Sequence, residues 1–343
     1  MNRLRRHRRI VAAAAITLAL VLIAGTAYLI GGYLVYDRAT RVDAHCGGLY
    51  ASNTPASFAS DRLDTTPYLM PSFDLVGFSS RRDPAITISG WWVPGTSPTG
   101  PTVIEVHGLG SCKRSPTVLL PAGMLHRRGY NVLLIDLRNE GESTVTNGRF
   151  AGGVTEYNDV LGAWDWVRSV RGVPANRIGL AGMSMGAATS IIAMGQEPEV
   201  AAVWEDSSYG NIDDAIAGQL ALSGYPTFLG PAGIFVARLQ GLDITSLGPL
   251  DAIPRLHGRP IAIVHGAADK RIPVKQADTL RQAVEATGGH PYVWIVDGAD
   301  HTQSVYVQPG EYERRMVEFF GPAIGVPDEA TRSGLLPAVA SVK

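Results

Sequence analysis

Residues 10–36 (IVAAAAITLALVLIAGTAYLIGGYLVY) contain no charged side chain. A helix rises about 1.5 Å per residue, so this run exceeds the ~20 residues that cross a hydrocarbon core of about 30 Å. Beyond it the apolar positions break into short runs. Residues 102–108 (TVIEVHG), 131–138 (NVLLIDLR), 177–182 (RIGLAG), 200–205 (VAAVWE), 260–266 (PIAIVHG) and 292–296 (YVWIV) are apolar on both faces. That is the pattern of strands buried inside a parallel sheet. Residues 73–78 and 85–93 (AITISGWWV) read as two earlier strands, and GTSPTGP after them as a turn. Helical patterns fall between the strands at 116–128, 155–170, 187–194, 274–287 and 312–320. Alternating strands and helices predict an α/β fold, a mostly parallel central sheet with helices on both faces.

The remaining segments fix the organisation. Residues 1–9 form a basic tail, 10–36 a transmembrane signal-anchor, and 37–70, polar and Pro-containing, a linker or lip. The folded domain runs over 71–321. Within it, 207–256 is too long for an ordinary loop and is rich in Gly, Ala, Leu and Pro, which predicts a small helical cap insertion over the carboxyl end of the sheet. Residues 322–343 read as a weakly ordered tail. No internal repeat is visible.

Charge assigns the topology of the first segment. Arg3, Arg5, Arg6, Arg8 and Arg9 precede the apolar run. Positive charge stays on the cytoplasmic side, so the amino terminus is expected inside and the main domain outside, tethered to the membrane. Gly25-Thr26-Ala27 offers small residues at cleavage spacing, so a cleaved signal peptide, and with it a secreted domain, is the alternative; a buried soluble helix is the third reading. Both of the first two readings export the domain. The net charge of −1 leaves the folded part acidic, which excludes a nucleic-acid binder of the usual basic kind. The 2 cysteines exclude a disulfide-dense scaffold and a Cys-built zinc site. Cys46 and Cys112 can pair outside the cytoplasm, but sequence does not place them together, and two unpaired thiols are the expectation.

Chemistry concentrates at Gly182-Met183-Ser184-Met185-Gly186, a G-x-S-x-G pattern directly after a strand and directly before a small-residue helix. A tight strand-to-helix turn holds a nucleophilic serine exposed, and glycine on each side removes Cβ atoms that would clash as the helix passes over the strand. Serine needs a base. Of the eight histidines, His301 lies in a loop just past the last predicted strand, at the carboxyl edge where open α/β sheets bind ligands. The others lie elsewhere: His7 before the membrane run, His45 in the linker, His107 and His265 at strand ends, His126 on a helix, and His257 and His290 near strand starts. The base needs an acid to fix its tautomer. Asp269 follows the preceding strand, and Asp206 is its rival; Asp297 and Asp300 are read as serving loop geometry.

The order Ser184, Asp269, His301 with this elbow resembles the α/β-hydrolase superfamily over residues 73–320. His107-Gly108-Leu109-Gly110 resembles its HGxG loop, Asp136 to Ser143 its D-x-R-x-x-G-x-S segment, and His265 to Val274 its acid-bearing segment. The chain departs at Arg138-Asn139-Glu140-Gly141, where many relatives carry Arg-Gly-His-Gly. The resemblance implies an α/β-hydrolase fold and acyl transfer through an acyl-enzyme. Ser184 is then the nucleophile, His301 the base and Asp269 the acid, with the backbone N–H groups of Met185 and Leu109 as the oxyanion hole and His107 shaping the loop. No β-propeller-sized segment precedes the domain, which argues against the large prolyl-oligopeptidase class and for a membrane-anchored, single-domain serine esterase or thioesterase. The expected partner is a small-molecule or lipid acyl ester, with an apolar cap (Leu220, Leu222, Phe228, Leu229, Phe235, Val236) suggesting an apolar acyl pocket; no metal, cofactor or nucleic acid is implied. An acyltransferase or peptidase using the same triad is one alternative, and a catalytically silent membrane-tethered interaction protein another.

Overall fold

The structure, a computed structural model, describes residues 2–42, 46, 48 and 50–327. The eight strands are β1 (Asp74–Ser80), β2 (Asp83–Val93), β3 (Thr102–Val106), β4 (Asn131–Ile135), β5 (Ile178–Met183), β6 (Ala202–Asp206), β7 (Ile261–Gly266) and β8 (Tyr292–Val296). They form one sheet in the order β1-β2-β4-β3-β5-β6-β7-β8. β1 and β2 pair antiparallel at one side, and β4 through β8 run parallel. The α-helices are α1 (Asn2–Thr40), α2 (Pro116–His126), α3 (Tyr157–Arg171), α4 (Met185–Gln196), α5 (Ile212–Leu222), α6 (Leu229–Leu239), α7 (Pro249–Ala252), α8 (Lys275–Ala286), α9 (Ser304–Val307) and α10 (Pro309–Ile324).

The period-free apolar strands are central for a physical reason. β3, β4, β5, β6 and β7 are buried at every position, so both faces need cover. Helices α3, α4 and α8 cover one face, where Val160, Ile191 and Leu280 meet Ile104, Leu180 and Ile263. On the other, α2 and α10 bring Leu119 and Phe320 against Val103, Ala181 and Trp204. β8 differs from the two-faced expectation. Trp294 and Val296 are buried, while Val293 and Ile295 are 36% and 39% exposed. It is the edge strand, and only one of its faces meets the core.

Three features go beyond the sequence. Within the segment read as a linker or lip, residues 50–70 pack on the domain: Phe58, Tyr68 and Met70 are buried against α2. Asn53 and Arg114 exchange side-chain-to-backbone hydrogen bonds of 3.1 and 2.7 Å. The same wrapping brings Cys46 to Cys112, and the two form a disulfide with 5.5 Å between Cα atoms, so the expectation of unpaired thiols is overturned. Finally, α1 continues past the apolar run to Thr40 and docks on the domain. The Asp37 carboxylate meets the Arg149 guanidinium at 2.7 Å, and the Phe150 amide donates to the Thr40 carbonyl at 2.7 Å. The segment 207–256 carries α5, α6 and α7. Of the expected tail, 322–324 completes α10, and 328–343 lie outside the described residues, as does His45.

Two stability outcomes follow. The disulfide closes a loop of 66 residues. On chain-entropy grounds the Cys46→Ser, Cys112→Ser double variant should lose about 2–4 kcal/mol in denaturant unfolding, and an unchanged midpoint would show that the bond adds nothing. Glu105 lies fully buried in β3, with neither carboxyl oxygen hydrogen-bonded, and burial pushes its carboxyl up from 4.5 to about 8. Below pH 4.5 both folded and unfolded chains carry it protonated. Between there and about 8 only the unfolded chain ionises, so the wild type loses stability as pH rises. Glu105→Gln removes that loss: its melting temperature should exceed wild type by several degrees at pH 8 and the gap should close by pH 4.5, as followed by circular dichroism.

Candidate active site

The site begins with a backbone constraint. β5 ends at Met183 and α4 starts at Met185, so Ser184 alone makes the turn, at φ 54° and ψ −115°. A non-glycine residue at positive φ is costly and persists only where its surroundings over-determine it. Here the Ser184 amide donates to the Asp206 carbonyl at 2.8 Å. The flanking glycines make the crossing sterically feasible. A Cβ on Gly182 would stand 2.4 Å from the Gly186 carbonyl oxygen, and one on Gly186 2.3 Å from that of Val106.

The three residues singled out by spacing converge. Ser184 Oγ lies 2.8 Å from His301 Nε2, and His301 Nδ1 lies 2.8 Å from Asp269 Oδ2. With the Asp269 carboxylate accepting from Nδ1–H, Nε2 is left to accept the serine proton. Burial works against a charge on Asp269. Hydrogen bonds from His265 and His301 and from the Ile272 amide prevail, and hold its carboxyl well below the usual carboxylate range. Its Oδ1 also accepts the Arg271 and Ile272 amides at 2.9 and 2.8 Å, which locks its orientation.

The rival acid has another task. Asp206 Oδ1 accepts from the Ser207 hydroxyl at 2.8 Å, and burial pushes its carboxyl up to about 6. Ser207 in turn accepts the Thr302 amide at 3.0 Å and so pins the loop that carries His301. Asp300 Oδ1 accepts the Lys270 and His301 amides at 3.0 and 2.8 Å, fixing the same loop from within.

The loop opposite the elbow is fixed by His107, as expected, and by Glu140, whose part the sequence did not show. His107 is fully buried; its Nε2 accepts the Leu137 amide at 3.0 Å and its Nδ1 donates to the Gly108 carbonyl at 2.8 Å. Both ring nitrogens are spent on backbone, so His107 shapes the loop. A Cβ on Gly108 would stand 3.4 Å from Ser184 Cβ, which sets the loop directly beside Ser184. Glu140, from the segment that departs from the usual pattern, accepts the Gly110 amide at 2.6 Å. Burial pushes its carboxyl well above the ordinary value. Behind it, Asp136 meets the buried Lys113 ammonium and accepts the Lys113 and Glu142 amides, both at 2.8 Å. Met185 opens α4, so its N–H has no carbonyl one turn earlier to meet and faces the positive end of the helix dipole. Leu109 lines the same cavity as Ser184 and Met185.

His265 was the residue most easily missed. It is buried, donates from Nε2 to the Ile272 carbonyl at 2.8 Å and lies 3.3 Å from Asp269 Oδ2. In the sequence it stands only as a strand-end histidine and as the first residue of the segment that carries Asp269. Burial opposes its charged form, but Asp269 and Glu205 prevail and raise its pKa. Among the described residues no group of three or more His, Cys, Asp or Glu side chains has the arrangement of a metal site.

A cavity of about 900 Å³ opens above Ser184. Of the expected cap residues, Leu220 and Leu229 line it, whereas Leu222, Phe228 and Phe235 are exposed. Part of the remaining wall comes from α1, through Gly31, Leu34, Val35, Asp37, Arg38 and Ala39, a segment that sequence had assigned only to anchoring.

The loop geometry makes a prediction. Glu140→Leu should lower kcat about tenfold or more with little change in KM if the Leu109 amide on this loop is the oxyanion donor expected from the sequence. Glu140→Gln, which still offers an acceptor to Gly110, should retain most of the rate in the same steady-state assay. Equal rates for the leucine and glutamine variants would show that the loop holds its place without this bond.

The prolyl oligopeptidase family matches over residues 120–326. Esterase Pf2001 of Pyrococcus furiosus superposes with a TM-score of 0.61 at 22% identity, over 80% of this chain and 100% of that one. The α/β hydrolase GrgF from Penicillium sp. sh18 does so with a TM-score of 0.60 at 17% identity, over 74% of this chain and 99% of that one. Acylaminoacyl peptidase of Pyrococcus horikoshii matches at 0.54 and 16% identity, over 73% of this chain but only 40% of that one. No curated protein sequence matches the chain. The expectation drawn from the missing propeller-sized segment is overturned: the family match begins at residue 120, inside the hydrolase domain, so the length ahead of that domain does not decide it. The chain belongs to the prolyl oligopeptidase family and is a serine hydrolase of the α/β-hydrolase superfamily.

Proposed function

We propose that this serine hydrolase cleaves carboxylic esters or thioesters through an acyl-enzyme on Ser184. The observation that carries the reading is the unbroken chain from Ser184 Oγ through the His301 ring to Asp269, with two contacts of 2.8 Å at the floor of a largely apolar cavity. Ser184 Oγ attacks the substrate carbonyl while His301 Nε2 takes its proton, and Asp269 stabilises the resulting imidazolium. The amides of Met185 and Leu109 bind the developing oxyanion. Collapse breaks the bond to the alcohol or thiol, which leaves with the proton held by His301. Water, deprotonated by His301, then attacks the acyl-enzyme; the acid departs and Ser184 regains its proton.

The membrane-anchored reading is part of the proposal. Among the described residues, α1 is the one helix long and apolar enough to span a bilayer, and none of its most apolar 18-residue window is buried. Five arginines ahead of it favour a cytoplasmic amino terminus and an extracytoplasmic hydrolase domain. A peptidase is the second reading, favoured by the family match. An acyltransferase would use the same groups with an alcohol or amine in place of water.

Ser184→Ala should abolish hydrolysis of p-nitrophenyl butyrate while leaving the circular-dichroism spectrum intact; turnover at the wild-type rate would remove Ser184 from the mechanism. Asp269→Asn, which stabilises the wrong imidazole tautomer, should lower kcat by about 10²–10⁴. An aminoacyl p-nitroanilide, offered beside the ester, separates peptidase from esterase by the ratio of the two kcat/KM values.

A further inference from the structure

We propose that the substrate is a membrane lipid ester, and that its acyl chain reaches Ser184 sideways from the bilayer, between α1 and the α5–α6 hairpin. This rests on the serine-hydrolase and anchor readings above, and names the substrate class they leave open.

The first observation is where the cavity lies. Gly31, Leu34 and Val35, inside the uncharged run of α1, line it together with Ser184. So do Asp37 and Arg38, just past that run. The cavity therefore straddles the level at which α1 passes from apolar to charged sequence. An amphiphile lying at a bilayer surface has the same division, with chain on one side and polar head on the other.

The second is how α1 is held. It does not dangle from the domain but packs closely along α6. A Cβ on Gly32 would stand 2.8 Å from the Ala232 backbone, and one on Gly233 2.5 Å from Val35 Cγ1. Small residues at such a seam let two helix backbones approach. Tyr28 stacks on Phe228 with ring centroids 6.3 Å apart and donates its hydroxyl to the Phe228 carbonyl at 3.1 Å. Contacts advance in the same direction on both helices, from Tyr28 with Phe228 to Val35 with Gly233, so α6 leaves the membrane alongside α1.

The third is the composition of the hairpin. Residues 215–237 contain no charged side chain. At its tip, Leu222, Tyr225 and Phe228 are 50%, 62% and 64% exposed. Exposed apolar side chains clustered on one element mark a contact surface. The tip meets α1 at Tyr28, eight residues before the end of the apolar run, or about 12 Å along the helix axis. An anchor that spans the bilayer carries the tip into the outer leaflet with it. Tyr225, exposed at the tip, also lines the cavity, so the route from leaflet to Ser184 is continuous.

The test uses the full chain in phosphatidylcholine vesicles, with p-nitrophenyl palmitate in the vesicles and p-nitrophenyl acetate in the water. Leu34→Trp fills the cavity from the α1 side and should lower the palmitate-to-acetate ratio of kcat/KM at least tenfold. Phe228→Asp places a charge at the tip and should lower the same ratio at least fivefold. Labelling by a fluorophosphonate reports whether each variant retains its site, and if Leu34→Trp loses labelling the Phe228→Asp ratio decides alone. Labelled variants with an unchanged ratio overturn lateral entry while leaving the hydrolase intact. A wild type that neither labels nor turns over either ester overturns the hydrolase reading itself.

Discussion

Everything at this site depends on one backbone residue held where side-chain-bearing residues rarely go. Ser184, at φ 54°, completes the whole passage from β5 to α4. The hydroxyl therefore stands clear of both elements, and the first amide of α4 points past it. The cost of that conformation is met by neighbours: the Asp206 carbonyl takes the Ser184 amide, and Gly182 and Gly186 leave room for α4 to cross β3 and β5. With the hydroxyl fixed, the place of the His301 ring that meets it is fixed too, and the loop after β8 is tied there by Asp300, Ser207 and Asp206.

Buried acids surround this arrangement, and most are not charged in the same sense. Asp269, with donors on both oxygens, stays ionised. Glu140 and Glu205, buried with fewer donors, are pushed up, Glu205 to about 8, and accept the Gly110 and Ser208 amides. The number of N–H groups offered to each carboxyl decides between these outcomes, because burial alone always favours the neutral form. The charge held on Asp269 lies against the His301 ring.

Local pattern carried most of the fold. Strands buried on both faces read as unbroken apolar runs, and the elbow reads as glycine, serine and glycine at fixed offsets between a strand and a helix. Ser184, Asp269 and His301 were each marked by lying just beyond a strand's carboxyl end. What escaped depends on distant chain segments. Whether Val293 and Ile295 meet solvent depends on β8 having no further neighbour. The Cys46–Cys112 bond depends on residues 50–70 wrapping onto α2. His265 and Glu140 acquire their tasks only from what folds against them. The part of α1 that lines the cavity has the composition of any anchor, and nothing in its own sequence separates wall from tether.

The central claim is that Ser184 is the activated nucleophile, and mass spectrometry of the fluorophosphonate-treated full chain tests it most directly. The account predicts one adduct per chain, on the peptide containing Ser184. An adduct on any other residue, or none on intact protein at neutral pH, would contradict it.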